Sequence, residues 1–464
     1  MDRTFSKQIA DPLYGTIGLT PVEVDVISTR VFQRLARINQ LGTAHLVFPG
    51  AQYSRFEHSI GVCHVAGEIL ESLEATPRFD GFSDDEWQRY RLAALLHDIG
   101  HYPFSHAFEN ALDSVYDDYY KHEAVGGKIL QHDQELRDAI DKHDLGFSPE
   151  EIAAIFLRKK ISPDAFTYAD LLSSGLDADR LDYLRRTAHH TGVPYGSIDG
   201  DYLISQFHLV GDKLDVVALT HRARLTADHF LLSRWFEYQQ VVFHHTVQAA
   251  DTTLEDILEK LFEHNDQFRY TSEDVDEKIR SGTWANFDDV KTMEAIRKLQ
   301  VDTGQGQEKE DQVAHDKCRA LLERHLPKSV YERSYYRSHA NSDESDPLTD
   351  SALEDGALEE LASNYEIDRD RWTLWTAPSP FTKMNKDKEH DIRVSSKNGS
   401  RDSEVKLLIN DDQALVSRLA DEERYTWRLY VLFPDDWEEE RVESTREEIR
   451  TDLTSNYLHG NTIR

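Results

Sequence analysis

The segment LLHDIGHYPFSHAFE, residues 95–109, narrows the fold most. Three histidines, an aspartate and a glutamate interrupt the apolar side chains of a buried helix. Polar groups inside an apolar element are costly unless something satisfies them. The same demand recurs on either side. His58 sits in the apolar run RFEHSIGVCHVAG, and Asp177, Asp179 and Asp182 stand among Leu176, Leu181 and Leu184 in GLDADRLDYLRRTAHH. Ligand-type residues on separate apolar helices are what a metal clamp inside a helical bundle requires, and an imidazole beside a carboxylate suits a divalent ion of hydrolytic chemistry. The bland alternative gives each of them its own buried partner, a capping or core histidine paired with a carboxylate. On a helix His97 and His101 share a face one turn apart, with Asp98 rotated by about 100°. Gly100 and Pro103 end that helix, so His106 falls on the following turn.

Helical periodicity dominates to about residue 262. A Thr20-Pro21 start precedes Val24, Ile27, Val31, Leu35 and Ile38 at a spacing of three to four. Further helices are expected over 55–75, 84–101, 148–160, 169–190 and 226–263, with 213–219 as a strand or part of a hairpin. Two polar tracts follow, 302–317 and 338–356, with one more helix over 314–326 overlapping the first. Beyond them WTLWTAP, EVKLLI and YTWRLYVLFP are β-prone. These patterns predict a mostly α chain: a helical-bundle core over 1–325, then a smaller α+β lobe over 326–464 with a mobile acidic loop near 338–356.

The formal charge is −33, with 39% hydrophobic and 30% charged residues. That acidity argues against general nucleic-acid binding and against a membrane surface, since both partners are anionic. No run approaches the roughly 18 apolar residues of a membrane span, and the first residues lack a signal core. Two distant cysteines, Cys63 and Cys318, form neither a disulfide framework nor a thiolate zinc site. A reducing, cytoplasmic setting is expected.

His58, then His97-Asp98, then a later aspartate resembles the signature of the HD-domain metal-dependent phosphohydrolases. DPLYGTIGLTP, FQRLARINQLGTAHLVFPGAQYSRFEHSIGV, LLHDIGHYPFSHAFE, YKHEAVG and GLDADRLDY fall in the order of that family's deoxynucleoside-triphosphate triphosphohydrolase branch, over about residues 5–260. They resemble the vertebrate SAM-and-HD-domain dNTPases and their bacterial relatives, although no SAM domain is expected ahead of the core. The resemblance implies an HD-domain bundle whose divalent ion (Mn, Fe, Mg or Zn) is held by His58, His97, Asp98 and Asp179. Asp179 is preferred over Asp177 because it directly precedes the basic residue. His101, His106, Glu109 and His122 would surround the α-phosphate, with Glu109 orienting His106 for proton transfer.

For the substrate, the resemblance implies Arg55 near the α-phosphate and Arg180 and Arg234 towards the distal phosphates. Gln40 and Leu41 would meet the 3′-hydroxyl and crowd the 2′ position, and Tyr183 would lie beneath the sugar. Arg180 replaces the family's common lysine, Thr187 replaces an aspartate that binds the 3′-hydroxyl, and Val242 replaces a tyrosine. Deoxy selectivity is therefore expected to be weaker. Ser28, Gln33 and Ala36 stand where the family binds a guanine nucleotide activator, so that site is expected to be absent or altered. Lys7 would remain as a phosphate contact, and His244-His245 would line a subunit interface. The implied activity converts a dNTP to deoxynucleoside and inorganic triphosphate, controlling or depleting dNTP pools, as in phage defence. The implied protein is a homo-oligomer with a nucleotide activator between subunits. The alternatives are an HD phosphodiesterase or nucleotidase acting on cyclic or monophosphate nucleotides, and a nucleotide-sensing protein with little turnover.

Overall fold

The computed structural model describes residues 3–157, 169–172, 174–195, 197–265, 268–304, 309–338, 356–380, 392–395, 405–420 and 422–457. A hairpin of β1 (Lys7–Asp11) and β2 (Gly15–Leu19) opens the chain. Helices α1 (Pro21–Ile27), α2 (Arg30–Gln33), α3 (Arg55–Glu74), α4 (Asp84–Leu96) and α5 (His106–Val115) follow. Next come α6 (His122–His132), α7 (Gln134–Asp141), α8 (Pro149–Phe156), α9 (Ala178–Thr191) and α10 (Gly200–Ser205). A second hairpin, β3 (Phe207–Val210) and β4 (Val216–Thr220), leads into α11 (Arg224–Glu237), α12 (His245–His264), α13 (Ser272–Arg280), α14 (Asp289–Thr303) and α15 (Lys309–Glu323). The remainder holds β5 (Lys328–Ser338), α16 (Ala357–Asn364), β6 (Trp372–Pro380), β7 (Arg393–Ser395), β8 (Val405–Leu407), α17 (Val416–Leu419), β9 (Glu422–Val431) and α18 (Glu439–Asp452). The chain is mostly α, as its periodicity predicts.

Helix α3 is the axis of the core. Ser54 and Glu57 close a reciprocal cap at its start, and consecutive residues from His58 to Cys63 are all buried. A helix buried all round has no solvent face, so its neighbours must surround it. It packs against α4 and α9. A Cβ at Gly61 would lie 2.0 Å from Asp182 Oδ1, so glycine is what lets the α9 carboxylate reach α3. At Gly100 a Cβ would lie 2.1 Å from the His122 carbonyl oxygen, and the turn after α4 is thereby pressed against the start of α6.

Several expected helices are shorter than their periodicity suggests. Helix α4 stops at Leu96, with His97 as its C-cap, so His97 and His101 do not share a helix face. The stretch 169–190 becomes regular helix only at Ala178, because Asp177 is the N-cap and accepts from the Arg180 amide. The stretch 20–42 divides where Thr29 caps α2. The stretch 226–263 divides at a π-turn, Tyr238–Val242, between α11 and α12. Apolar spacing continues through all these breaks, since both sides of each face the core, and only the cap and turn conformations end the helices.

Beyond residue 326, β5, β9 and β6 form an antiparallel sheet in that order. Trp372, Trp427 and Leu429 pack there with Leu358 of α16 and Ile449 of α18 in a second apolar cluster. Strands β7 and β8 instead extend the β3–β4 hairpin, β4 and β7 pairing in parallel. Ile392 and Val394 accordingly belong to the main core. Most of the acidic loop expected near 338–356 lies outside the described residues. Among the described residues, no helix is long and apolar enough to cross a membrane.

Candidate metal and phosphate site

Three elements bring the histidines and aspartates together: the first turn of α3, the turn after α4, and the first turn of α9. Ligand-type atoms of His58, His97 and Asp179 all lie within 4.8 Å of one another. His58 Nε2 stands 3.0 Å from Asp179 Oδ1, and His97 Nε2 stands 3.8 Å from the same oxygen. Neither Nε2 has a hydrogen-bond partner, although both are buried. The opposite nitrogens are engaged: His58 Nδ1 meets Asp182 at 2.8 Å, and His97 Nδ1 meets the Ala94 carbonyl at 2.8 Å. Donation from Nδ1 fixes the tautomer in which each Nε2 would offer its lone pair to a cation held between the two rings and Asp179. Two buried imidazole nitrogens without a hydrogen-bond partner, set beside a carboxylate oxygen, form a donor set that fits a divalent cation.

Asp98 belongs to the same knot but is shared. It lies 3.3 Å from His97 Nε2, 3.8 Å from His58 Nε2 and 3.3 Å from His101 Nε2, and it also pairs with the Arg55 guanidinium. Burial opposes its charge, yet His97, Arg55 and His101 hold its carboxyl well below the usual range. Arg55 is anchored further by Ser105 Oγ, at 3.1 Å from Nε. Phe104 and Ser105 both have φ of +54°, a conformation that costs a non-glycine residue free energy and often marks functional sites. Asp177 is turned away from this centre. Its carboxylate caps α9 and pairs with Arg180, while Asp179, two residues on, faces the histidines.

Glu109 makes its short contacts with His122 rather than His106. His122 donates its backbone amide to Glu109 at 2.8 Å, and Nδ1 lies 3.0 Å from the same oxygen. His106 stands 3.7 Å from the other oxygen, with its side chain 78% exposed. The orientation of His106 by Glu109 expected from sequence is thus weak, because His106 opens α5 on its solvent side while His122 opens α6 facing Glu109. Burial works against the charge of both Glu109 and His122. Even so, the neighbouring imidazoles hold the glutamate far below the usual range, and the glutamate in turn raises His122. His101, stacked on His122 at 3.8 Å, is driven the other way by burial and by the charges of Arg55 and His122. The two stacked rings are thereby driven apart, His101 towards its neutral form and His122 towards its cation.

A cavity of about 860 Å³ opens from this centre. Gln40, Leu41, Arg55, Asp98, His101, His106 and His122 line it, as do Asp179, Arg180, Tyr183 and Arg234. Arg180 is tied to Asp177 and to the Ser174 carbonyl, and Arg234 lies over the Tyr238 ring at 5.2 Å. Gln40 Oε1 is buried without a hydrogen-bond partner. Sequence patterning left several lining residues unidentified. Glu237 and Tyr238 come from the π-turn junction, Asp251 and Glu255 from α12, and Trp375 from β6. The orienting role of Asp182 was open to inference from its position three residues after Asp179. The others had no local signal.

A family model described as HD domain matches residues 55–187. The uncharacterised protein YwfO of Bacillus subtilis is 32% identical over 324 residues, spanning 69% of this chain and 71% of that protein. The deoxynucleoside triphosphate triphosphohydrolase SAMHD1 homologue of Dictyostelium discoideum is 36% identical over 196 residues, or 41% of this chain and 37% of that protein. A hypothetical protein from Aquifex aeolicus shares the fold, with a TM-score of 0.69 at 24% identity, over 96% of this chain and 99% of that one.

Proposed function

The chain belongs to the HD-domain family, and from that premise we propose that it is a metal-dependent hydrolase of deoxynucleoside triphosphates, releasing deoxynucleoside and inorganic triphosphate. The observation that carries this reading is the pair of orphaned Nε2 atoms of His58 and His97 facing Asp179, at the end of a cavity that also presents Arg55, Arg180 and Arg234. His58, His97 and Asp179 would hold the cation, with Asp98 beside them. When bound, a divalent ion supplies Lewis acidity at a phosphoryl oxygen and lowers the pKa of water.

The chain's own groups account for the rest. Water oxygen bonds to the α-phosphorus and the bond from phosphorus to the 5′-oxygen breaks. His101 donates through Nε2 to Asp98, and its buried Nδ1 has no partner, so that nitrogen takes the proton of the attacking water. His122, whose protonated form Glu109 favours, gives a proton to the leaving 5′-oxygen. Arg55, Arg180 and Arg234 neutralise phosphate charge. Glu109→Gln is expected to lower kcat by about 100-fold. Without the carboxylate that raises it, the His122 pKa falls, so the alkaline limb of the pH–rate profile moves to lower pH. An unchanged limb would remove His122 from the acid role.

The reading is tested by incubating the metal-loaded protein with each dNTP and NTP, alone and in pairs, and separating the products. Inorganic triphosphate with deoxynucleoside supports it. GTP alone is expected not to stimulate turnover. Ser28 Oγ bonds the Val24 carbonyl, Gln33 Nε2 bonds the Ile27 carbonyl, and Ala36 offers no polar group. Activation by a dNTP is compatible with the proposal.

One observation favours a second reading, hydrolysis of a cyclic or monophosphate nucleotide. Asp251, Glu255, Asp256 and Glu259 line the same cavity, and an acidic wall suits fewer phosphates. Burial raises Asp251 to about 6 and Glu255 to about 8, which softens that repulsion near neutrality. Release of orthophosphate or of a linear nucleotide, without triphosphate, would select this second reading.

A further inference from the structure

Strand β6 has two faces of different character. Trp372 and Leu374 stand opposite Val431 and Leu429 of β9, and they pack in the apolar cluster shared with α16 and α18. The alternate residues, Thr373 and Trp375, stand opposite Tyr430 and Arg428. That side is turned to the helical core, since the Tyr430 hydroxyl donates to the His245 carbonyl at 2.9 Å and Arg428 Nη1 donates to the Phe243 carbonyl at 2.5 Å. A tryptophan set among threonine, tyrosine and arginine is not called for by the sheet's own apolar cluster.

Trp375 is part-buried and lines the same cavity as the metal-ligand residues. Arg428 lies over its ring at 5.1 Å, and Phe243 meets it at 5.3 Å with the planes 67° apart. Phe243 in turn meets Tyr238 at 5.5 Å, and Arg234 lies over Tyr238 at 5.2 Å. A run of ring contacts therefore leads from a cavity arginine to the C-terminal sheet. Along it the cavity wall changes from charged to aromatic.

Chemistry limits what meets the aromatic end. The face of an aromatic ring carries partial negative charge and disfavours phosphate. Arg428 does not reverse this, because its guanidinium is committed to Glu332 at 2.8 Å and to the Phe243 carbonyl. On the nucleotide reading, phosphates belong where Arg55, Arg180 and Arg234 face the cavity. The part of a nucleotide that gains by covering an aromatic ring is the base, which is flat and apolar on its faces.

We propose that Trp375 is the platform on which the substrate's nucleobase stacks, so that the C-terminal sheet supplies one wall of the substrate site. This rests on the nucleotide reading above and adds where the base lies. Every base has a π face, so a stacking platform holds purines and pyrimidines alike.

The test compares each dNTP with 1′,2′-dideoxyribose 5′-triphosphate, the sugar triphosphate without a base. Triphosphate release is followed on the metal-loaded wild type, Trp375→Leu and Trp375→Phe. The wild type is expected to favour the dNTP by about 30-fold in kcat/KM. Trp375→Leu should bring that ratio to within about threefold of one, and Trp375→Phe, which keeps a ring, should stay nearer the wild type. A tryptophan that only holds the sheet against the core would lower both substrates together, and the unaltered ratio in Trp375→Leu would overturn the assignment. Equal rates on both substrates by the wild type would overturn it too, while leaving triphosphate release intact. Should Trp375→Leu fail to fold, the wild type decides by ultraviolet cross-linking to 5-iodo-2′-deoxyuridine triphosphate, whose base joins to a ring stacked on it. Cross-linking at Trp375 supports the assignment, and cross-linking that spares it overturns it. No triphosphate from any dNTP overturns this assignment together with the function it rests on.

Discussion

Asp179→Asn is expected to lower turnover by at least about 1,000-fold and to deplete the divalent ion from the purified protein. Losing a residue that merely orients a ligand already costs 10- to 100-fold in metal affinity or activity, and Asp179 is the carboxylate both orphaned imidazoles face. The matched control is Asp177→Asn. Asparagine caps a helix about as well as aspartate, so α9 keeps its start while the pairing with Arg180 loses its charge. Metal content by elemental analysis should fall in the first variant and hold in the second. Equal occupancy in Asp179→Asn and wild type would move the cation away from this cluster.

Asp182→Ala is expected to destabilise the fold by about 3 to 5 kcal/mol, the usual effect of stripping a partner from a buried charge. Asp182 and Arg186 are both 0% exposed and are joined at 2.8 Å. The same carboxylate receives the Tyr14 hydroxyl at 2.9 Å and holds His58 Nδ1. Asp11 remains as a second partner for Arg186 at 2.8 Å, which places the loss towards the lower end. Burial opposes ionisation of Asp182, but Arg186 and His58 depress its pKa below the ordinary value. A depressed carboxyl contributes stability above its unfolded pKa of about 4 and loses it as pH falls through the folded value. The gap between variant and wild type in denaturant unfolding should therefore shrink as pH falls below about 5. A gap that widened on acidification would contradict the assigned charge state.

Several features were legible in the amino-acid order. Apolar spacing located α3, α9 and α12, and β-branched and aromatic runs located β6 and β9. The crowding of His97, Asp98, His101, His106 and Glu109 in one apolar segment flagged a site, and His58 and Asp179 now stand beside it. Strand β5 was missed because Arg333 interrupts the inward-facing Tyr331 and Tyr335 in YERSYYRS, so no unbroken apolar alternation marks it. The π-turn was missed because YQQVVF continues the helical spacing on both sides.

By itself the sequence determined which helices must be buried, which of their residues require a partner, and that imidazoles and carboxylates crowd into those helices. These are properties of short stretches, set by side-chain type and by periods of two or 3.6 residues. Tertiary structure alone decided which partner each group received. It turned Asp177 into a cap and left Asp179 facing the histidines. It gave Glu109 to His122 rather than His106. Periodicity gives the direction of a side chain from its own helix axis. What that side chain meets depends on where helices stop and how they cross, and therefore on residues far away in the chain.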